Sequence, residues 1–164
     1  MNALWRCGLV GLIGGVGLAL AGTEINPTGV WKVVDYTAAD PATGAVQHPF
    51  GPNPLGSAIY TAKGHMSVFV AGSHREPSTA DGTKRAEERA QLFDSMYAYT
   101  GTFTVKGSAV TIHVESAWQP DWVGTDKTRT LKIDHDILTI TTPPMTSPVD
   151  GRTYISVTSF RRVD

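Results

Sequence analysis

His113 and Glu115, in the run HVES, stand two residues apart, a spacing that puts both side chains on one face of a β-strand. A histidine beside a carboxylate is an acid–base pair in outline: the imidazole exchanges a proton near neutral pH, and the carboxylate fixes its tautomer. Arg129, in TRTLKID, belongs to a later strand and would complete a catalytic set able to orient a carbonyl or enol. Such a set needs no cofactor and suits an isomerase, a cyclase or a hydro-lyase acting on a small organic substrate. The alternation of the same segment also permits the opposite placement. Phe103, Val105, Val110, Ile112 and Val114 then fill the interior, and the face carrying Thr102, Thr104, Thr111, His113 and Glu115 meets water.

The remaining candidates suit binding. His65 opens a strand directly after Gly64 and would meet a ligand's polar head, whereas Tyr60 and Met66 share the apolar face of the same hairpin. Trp118 and Trp122 flank Pro120 in a loop, where two large rings either line a mouth or plug it as core. Phe50, Asn53 and Leu55 lie in PFGPNPLG, whose prolines preset the path of a connection that serves as a rim, a stiff corner or both. His65, His113 and Glu115 would be the donors of a metal site, but no compact H-x-H spacing joins them, so no metal and no other cofactor is expected. A serine hydrolase lacks its G-x-S-x-G elbow.

The elements that must carry these residues are mostly strands. From Gly29 onward a period of two dominates. GVWKVVDY reads as a first strand with Trp31, Val33 and Asp35 on one face and Val30, Val34 and Tyr36 on the other. SAIYT and HMSVFVA flank a turn at Ala62-Lys63-Gly64, and GTFTVK and AVTIHVES flank Gly107-Ser108. TRTLKID, DILTITT and RTYISVTSFRRV supply the rest, turning at His135-Asp136 and over residues 143–151. One helix is expected over about 84–96, capped by Thr83, with Ala86, Ala90, Phe93 and Tyr97 as its apolar stripe. About eight locally connected strands close most simply into an antiparallel barrel, because closure removes both edges.

The 164 residues suit one core, and a formal charge of −1 gives no polybasic surface, so nucleic acid is excluded as an expected partner. Residues 1–21 read as a secretory signal peptide. Arg6 precedes the uncharged apolar run from Gly8 to Leu20, and Ala19-Leu20-Ala21 has the small residues a signal peptidase needs. The run is short for a membrane span and rich in glycine. Its removal takes away Arg6 and Cys7, leaving a charge of −2, no thiol and no stable membrane anchor. A secreted or periplasmic location is therefore expected.

The chain resembles the lipocalin-like domain family of small calycin-type barrels. The blocks that carry the resemblance are GVW at 29–31, PFGPNPLGSAIYTAKGHMSV from Pro49, YAYTGTF from Tyr97, HVESAWQPDWVGTDKTR from His113, LTITTPP from Leu138 and the closing SFRRV. The resemblance implies a fold that is all-β, an antiparallel barrel of about eight strands with one inserted helix, spanning 22–164 as one domain. It also implies a small hydrophobic ligand in the barrel cup, with Phe50, Asn53, Tyr60, His65, Met66, Trp118 and Trp122 as ligand-binding candidates. In barrels of this kind the first-strand tryptophan, here Trp31, packs at the closed end beneath an arginine of the last strand, Arg161 or Arg162.

Overall fold

The computed structural model describes residues 24–77, 79–146 and 151–163. The leader-like stretch 1–21 lies outside the described residues. The chain runs through β1 (Gly29–Ala39), β2 (Val46–Gln47), β3 (Leu55–Tyr60), β4 (His65–Ala71), α1 (Gly82–Asp94), β5 (Met96–Lys106), β6 (Ala109–Ala117) and a 3₁₀ turn (Pro120–Trp122). It continues through β7 (Asp126–Asp134), β8 (Ile137–Thr141), β9 (Met145–Thr146) and β10 (Thr153–Arg162). β2 and β9 are two-residue clips on the rim. The other eight strands pair antiparallel with their chain neighbours, and β10 returns to β1 from Trp31↔Arg162 to Ala39↔Ile155, closing an eight-stranded barrel.

Alternation explains most of the inside and outside. In β4, Met66, Val68 and Val70 are buried, while His65, Ser67 and Phe69 are exposed. The β5–β6 hairpin pairs Phe103 with Ile112 and Val105 with Val110. Its turn uses Gly107 at φ 61°, as the β3–β4 turn uses Gly64 at φ 80°, a left-handed backbone that glycine adopts without a Cβ penalty. These turns, with that at His135, lie at one end of the barrel, whereas every long connection lies at the other. The segment 24–28 covers the short-turn end. There Trp31 is fully buried, its Nε1 donates to the Pro27 carbonyl at 2.7 Å, and the Arg162 guanidinium lies 4.0 Å from its ring centroid.

Two bulges break the alternation. Val33 pairs with Phe160 and Asp35 with Ser159, so Val34 is the extra residue of β1. The phase reverses there: Trp31 and Val33 are inward before it, and Tyr36 and Ala38 after it. Tyr36 therefore stands inside, not on the outer face that uninterrupted alternation gives it. In the second bulge Thr100 pairs with Ser116 and Gly101 with Val114, which leaves Glu115 extra. A Cβ on Gly101 would collide with the carbonyl of His113, so only glycine lets β6 approach so closely.

The helix also differs from expectation. It spans Gly82–Asp94 with Asp81 at its N-cap and ends before Tyr97, which is already part of β5. None of its residues is buried. The expected stripe is thus not a core face, and α1 is an outrigger on the open rim.

Gly101→Ala is expected to destabilise the fold by roughly 3 kcal/mol, because the methyl group strikes backbone and not a movable side chain. Gly72→Ala is the control. Its Cβ would meet nothing closer than 3.7 Å and should change stability by about 1 kcal/mol or less. Denaturant unfolding of both variants checks this, and equal losses would mean that the second bulge is not a tight approach.

Candidate functional site

The open half of the barrel is not filled. A cavity of about 60 Å³ lies among side chains from β1, β3, β5, β7 and β10, with its roof on the rim loops. Tyr97 and Tyr99 reach it from alternate positions of β5, Tyr36 from β1 beyond the bulge, and Tyr60 from the end of β3. Ser156 and Thr158 of β10 line the wall beside Tyr36 and Tyr97. Arg129 enters from β7, where the alternation Arg129, Leu131, Ile133 carries it to the inner face.

The roof is aromatic. Phe50, held as Ser73 donates its N–H to the Phe50 carbonyl at 3.2 Å, meets Tyr36 edge-on at 4.6 Å and Tyr97 at 5.8 Å. Trp122, in the 3₁₀ turn, meets Tyr99 edge-on at 5.8 Å and lines the cavity. Behind it Trp118 lies 6.2 Å from Trp122, and Phe93 of α1 lies 4.5 Å from Trp118, so the helix is tethered to the roof through one ring. The Lys127 ammonium sits 4.5 Å from the centroid of Trp122.

Electrostatically the cavity is a set of donors. Burial pushes the phenols of Tyr60 and Tyr97 well up and raises those of Tyr36 and Tyr99, which the Arg129 charge pulls back, as the Ser156 hydrogen bond does for Tyr36. All four are neutral hydroxyls at ordinary pH. Lys127 is lowered by its partial burial and by the neighbouring charge of Arg129. Arg129 is 7% exposed and is the only charged side chain among the buried polar residues described.

The structure distributes the sequence candidates unevenly. Tyr60, Trp122 and Arg129 stand on the cavity wall, whereas Phe50 packs against the wall residues Tyr36 and Tyr97 without lining the cavity itself. His113 and Glu115 do not join them: both face solvent, and His113 Nδ1 lies 2.8 Å from Asp126 Oδ1 on the outside of the β6–β7 pair. The His113, Glu115 and Arg129 set therefore never assembles, because the pleat that turns Val110, Ile112 and Val114 inward turns His113 and Glu115 outward. His65 is also exposed, its backbone N–H bonded to the Thr61 hydroxyl at 3.1 Å. Met66 is buried in the core and does not reach the cavity. Asn53 is exposed, and Leu55, at 52% exposure, points away from the cup. Trp118 supports the roof without lining the cavity. Among the described residues no three of His, Cys, Asp and Glu come together as metal ligands.

Sequence reasoning missed Tyr36, Tyr97, Tyr99, Ser156 and Thr158. The two tyrosines of YAYT carry a readable signal, since residues two apart on a strand share a face, but assigning Tyr97 to the helix hid it. Tyr36 carried no such signal, because its face depends on the bulge.

The model of one family, the lipocalin-like domain, matches residues 28–162. No curated protein and no solved structure matches the chain.

The four inward phenols, Tyr60 buried and Tyr36, Tyr97 and Tyr99 partly so, set an alkaline limit. Below pH 10, where a phenol of the unfolded chain is neutral, their burial contributes fully to stability. Above it the unfolded chain gains by ionising and the fold does not, so stability falls by up to about 1.4 kcal/mol per pH unit for each phenol. Denaturant midpoints followed upward from pH 10 should show this fall, with a shallower slope in Tyr99→Phe. A flat profile would mean that hydroxide reaches these rings in the folded barrel.

Proposed function

The chain belongs to the lipocalin-like domain family, and from that premise we propose that it binds one small, largely apolar molecule inside the open half of its barrel. The observation that carries the reading is the contrast between the two halves. Trp31, Val33, Leu131 and Leu138 are fully buried toward the short-turn end, where a space of about 350 Å³ beside residues 24–28 opens to solvent, whereas the other half keeps a more enclosed cavity of about 60 Å³ ringed by aromatic faces. An eight-stranded barrel has an interior that side chains can just fill, so retained space is a property of this sequence and not of the fold alone. A volume of this size takes a molecule of a few heavy atoms with the roof as it stands. Ordinary drug-sized pockets are several times larger. A larger ligand requires Trp122 to swing on its loop, or Phe50 to release Tyr36 and Tyr97.

Catalysis by an outward His113 and Glu115 has no support from this geometry, since neither side chain reaches a molecule in the cup. We further propose that binding takes place outside the cytoplasm, a reading that rests on the leader-like residues 1–21. Intact mass of the protein recovered from its native host should correspond to a chain starting at Gly22, and a full-length mass would overturn that location.

Binding is expected to change Trp122 fluorescence and to raise the melting temperature in a panel of small aromatic and aliphatic compounds. Val68→Phe should abolish the response, because it grows into the cavity from β4 at a cost of about 1–3 kcal/mol in overpacking. The double variant His113→Gln with Glu115→Gln should bind as the wild type does. Loss of binding in the double variant, with binding retained in Val68→Phe, would place the site elsewhere.

A further inference from the structure

The inside of the cup holds one cation and nothing among the described residues to neutralise it. Arg129 has five N–H donors. Its Nη1 donates to the carbonyl of Thr128 at 2.9 Å, and no other hydrogen bond or ion pair of its side chain is found among the described residues. The contrast with Arg162 is direct. That guanidinium stacks on Trp31 and donates to the Thr28 carbonyl at 3.1 Å, a finished structural contact. Arg129 lies over no ring in this way, and the acids of the neighbouring strands are turned outward: Asp126 toward His113, and Glu115 to solvent. Burial of an unpaired guanidinium is costly, and an apolar side chain of the same length would avoid that cost.

Two further donors point the same way. Tyr60 and Tyr99 line the cavity, and neither hydroxyl has a hydrogen-bond partner among the described residues. Tyr36 and Tyr97, by contrast, are engaged with Ser156 and Thr158. Nearer the mouth, the inward face of β7 adds Lys127 against the Trp122 ring, again without a carboxylate partner among the described residues. One fixed positive charge, two phenol O–H groups without a partner and a second cation at the entrance therefore face a space to which none of the described residues brings an acid. What completes such a set is an acceptor with negative charge. The aromatic walls select against a strongly hydrated inorganic ion, and the single deep cation matches a single charge.

We propose that the ligand is a small organic monoanion, a carboxylate or a phenolate-type oxyanion, whose oxygen accepts hydrogen bonds from Arg129 and from the hydroxyls of Tyr60 and Tyr99 while its apolar body lies against the roof rings. The inference rests on the cup being the ligand site. Lys127 attracts the anion to the mouth, and Arg129 holds it.

The test uses matched pairs: acetate, benzoate and 4-nitrophenolate against acetamide, benzamide and 4-nitroanisole. Each is titrated into the wild-type protein and into Arg129→Met, with Trp122 fluorescence and melting temperature as readouts. In the wild type at least one anion should bind about tenfold or more tightly than its neutral partner. In Arg129→Met that preference should vanish while the neutral partner still binds. Because the substitution removes an uncompensated buried charge, the variant should fold and melt no lower than the wild type. The carboxylate and phenolate arms identify which oxyanion is preferred. Equal binding of anion and neutral partner by the wild type would overturn the monoanion and leave the cup as a binding site. Failure of every compound to bind would overturn the cup itself. A preference that survives in Arg129→Met would remove Arg129 from the site.

Discussion

The pairing of β10 with β1 is the constraint on which the molecule depends. Eight strands can meander through seven pairings between chain neighbours, but only the seam from Trp31↔Arg162 to Ala39↔Ile155 turns the sheet into an enclosure. The seam joins residues at opposite ends of the chain, and it is also where the bulge at Val34 sits. Without the bulge, the first strand would present one face to the interior throughout its length. With it, the lower part of β1 contributes Trp31 and Val33 to the core, and the upper part contributes Tyr36 to the cavity. Closure and the composition of the cup are thus set by the same hydrogen-bonded ladder.

The two ends divide the work of stability and recognition. Short turns at Gly64, Gly107 and His135 bring the strands together tightly, and the segment before β1 lies across them, giving an end closed by Trp31 and Arg162. At the opposite end the connections are long, and their rings lean on one another: Phe93 on Trp118, Trp118 on Trp122, Trp122 on Tyr99. A roof made of ring contacts between loops holds its shape through few groups and can be moved by few groups. The helix takes part only through Phe93 and the partly buried clasp in which Arg75 donates to the Leu92 carbonyl at 2.6 Å, which fits an element that buries none of its own residues.

The arginines of the interior show how one residue type is used twice in one barrel. Arg162 is matched in advance by an indole face and a carbonyl, so its charge is spent on the closed end. Arg129 is surrounded by neutral phenols that the fold keeps protonated by burial, and these can donate hydrogen bonds but cannot cancel its charge. The first arrangement suits a structural contact. The second leaves a polarity for another molecule to complete.

Much of this was determined by the sequence alone. The period of two assigned Met66, Val68 and Val70 to the inside and His65, Ser67 and Phe69 to the outside, and it offered the outward placement of His113 that the structure adopts. The glycine turns were legible because a positive φ has few other occupants, and the packing of Trp31 beneath a last-strand arginine followed from the family resemblance, which left Arg161 and Arg162 open until the register of β10 selected Arg162. Tertiary structure decided the rest, for a physical reason. Alternation is a local rule, and it holds only until the partner strand inserts or skips a residue, so Tyr36 took its place from a bulge that no stretch of its own strand encodes. Tyr97 changed from helix stripe to cavity wall because pairing with β4 extended β5 back to Met96. The cavity itself is the volume left over when side chains from separate strands meet, and the lack of an acid near Arg129 among the described residues is a relation among strands far apart in the chain. Neither quantity exists until the barrel has closed.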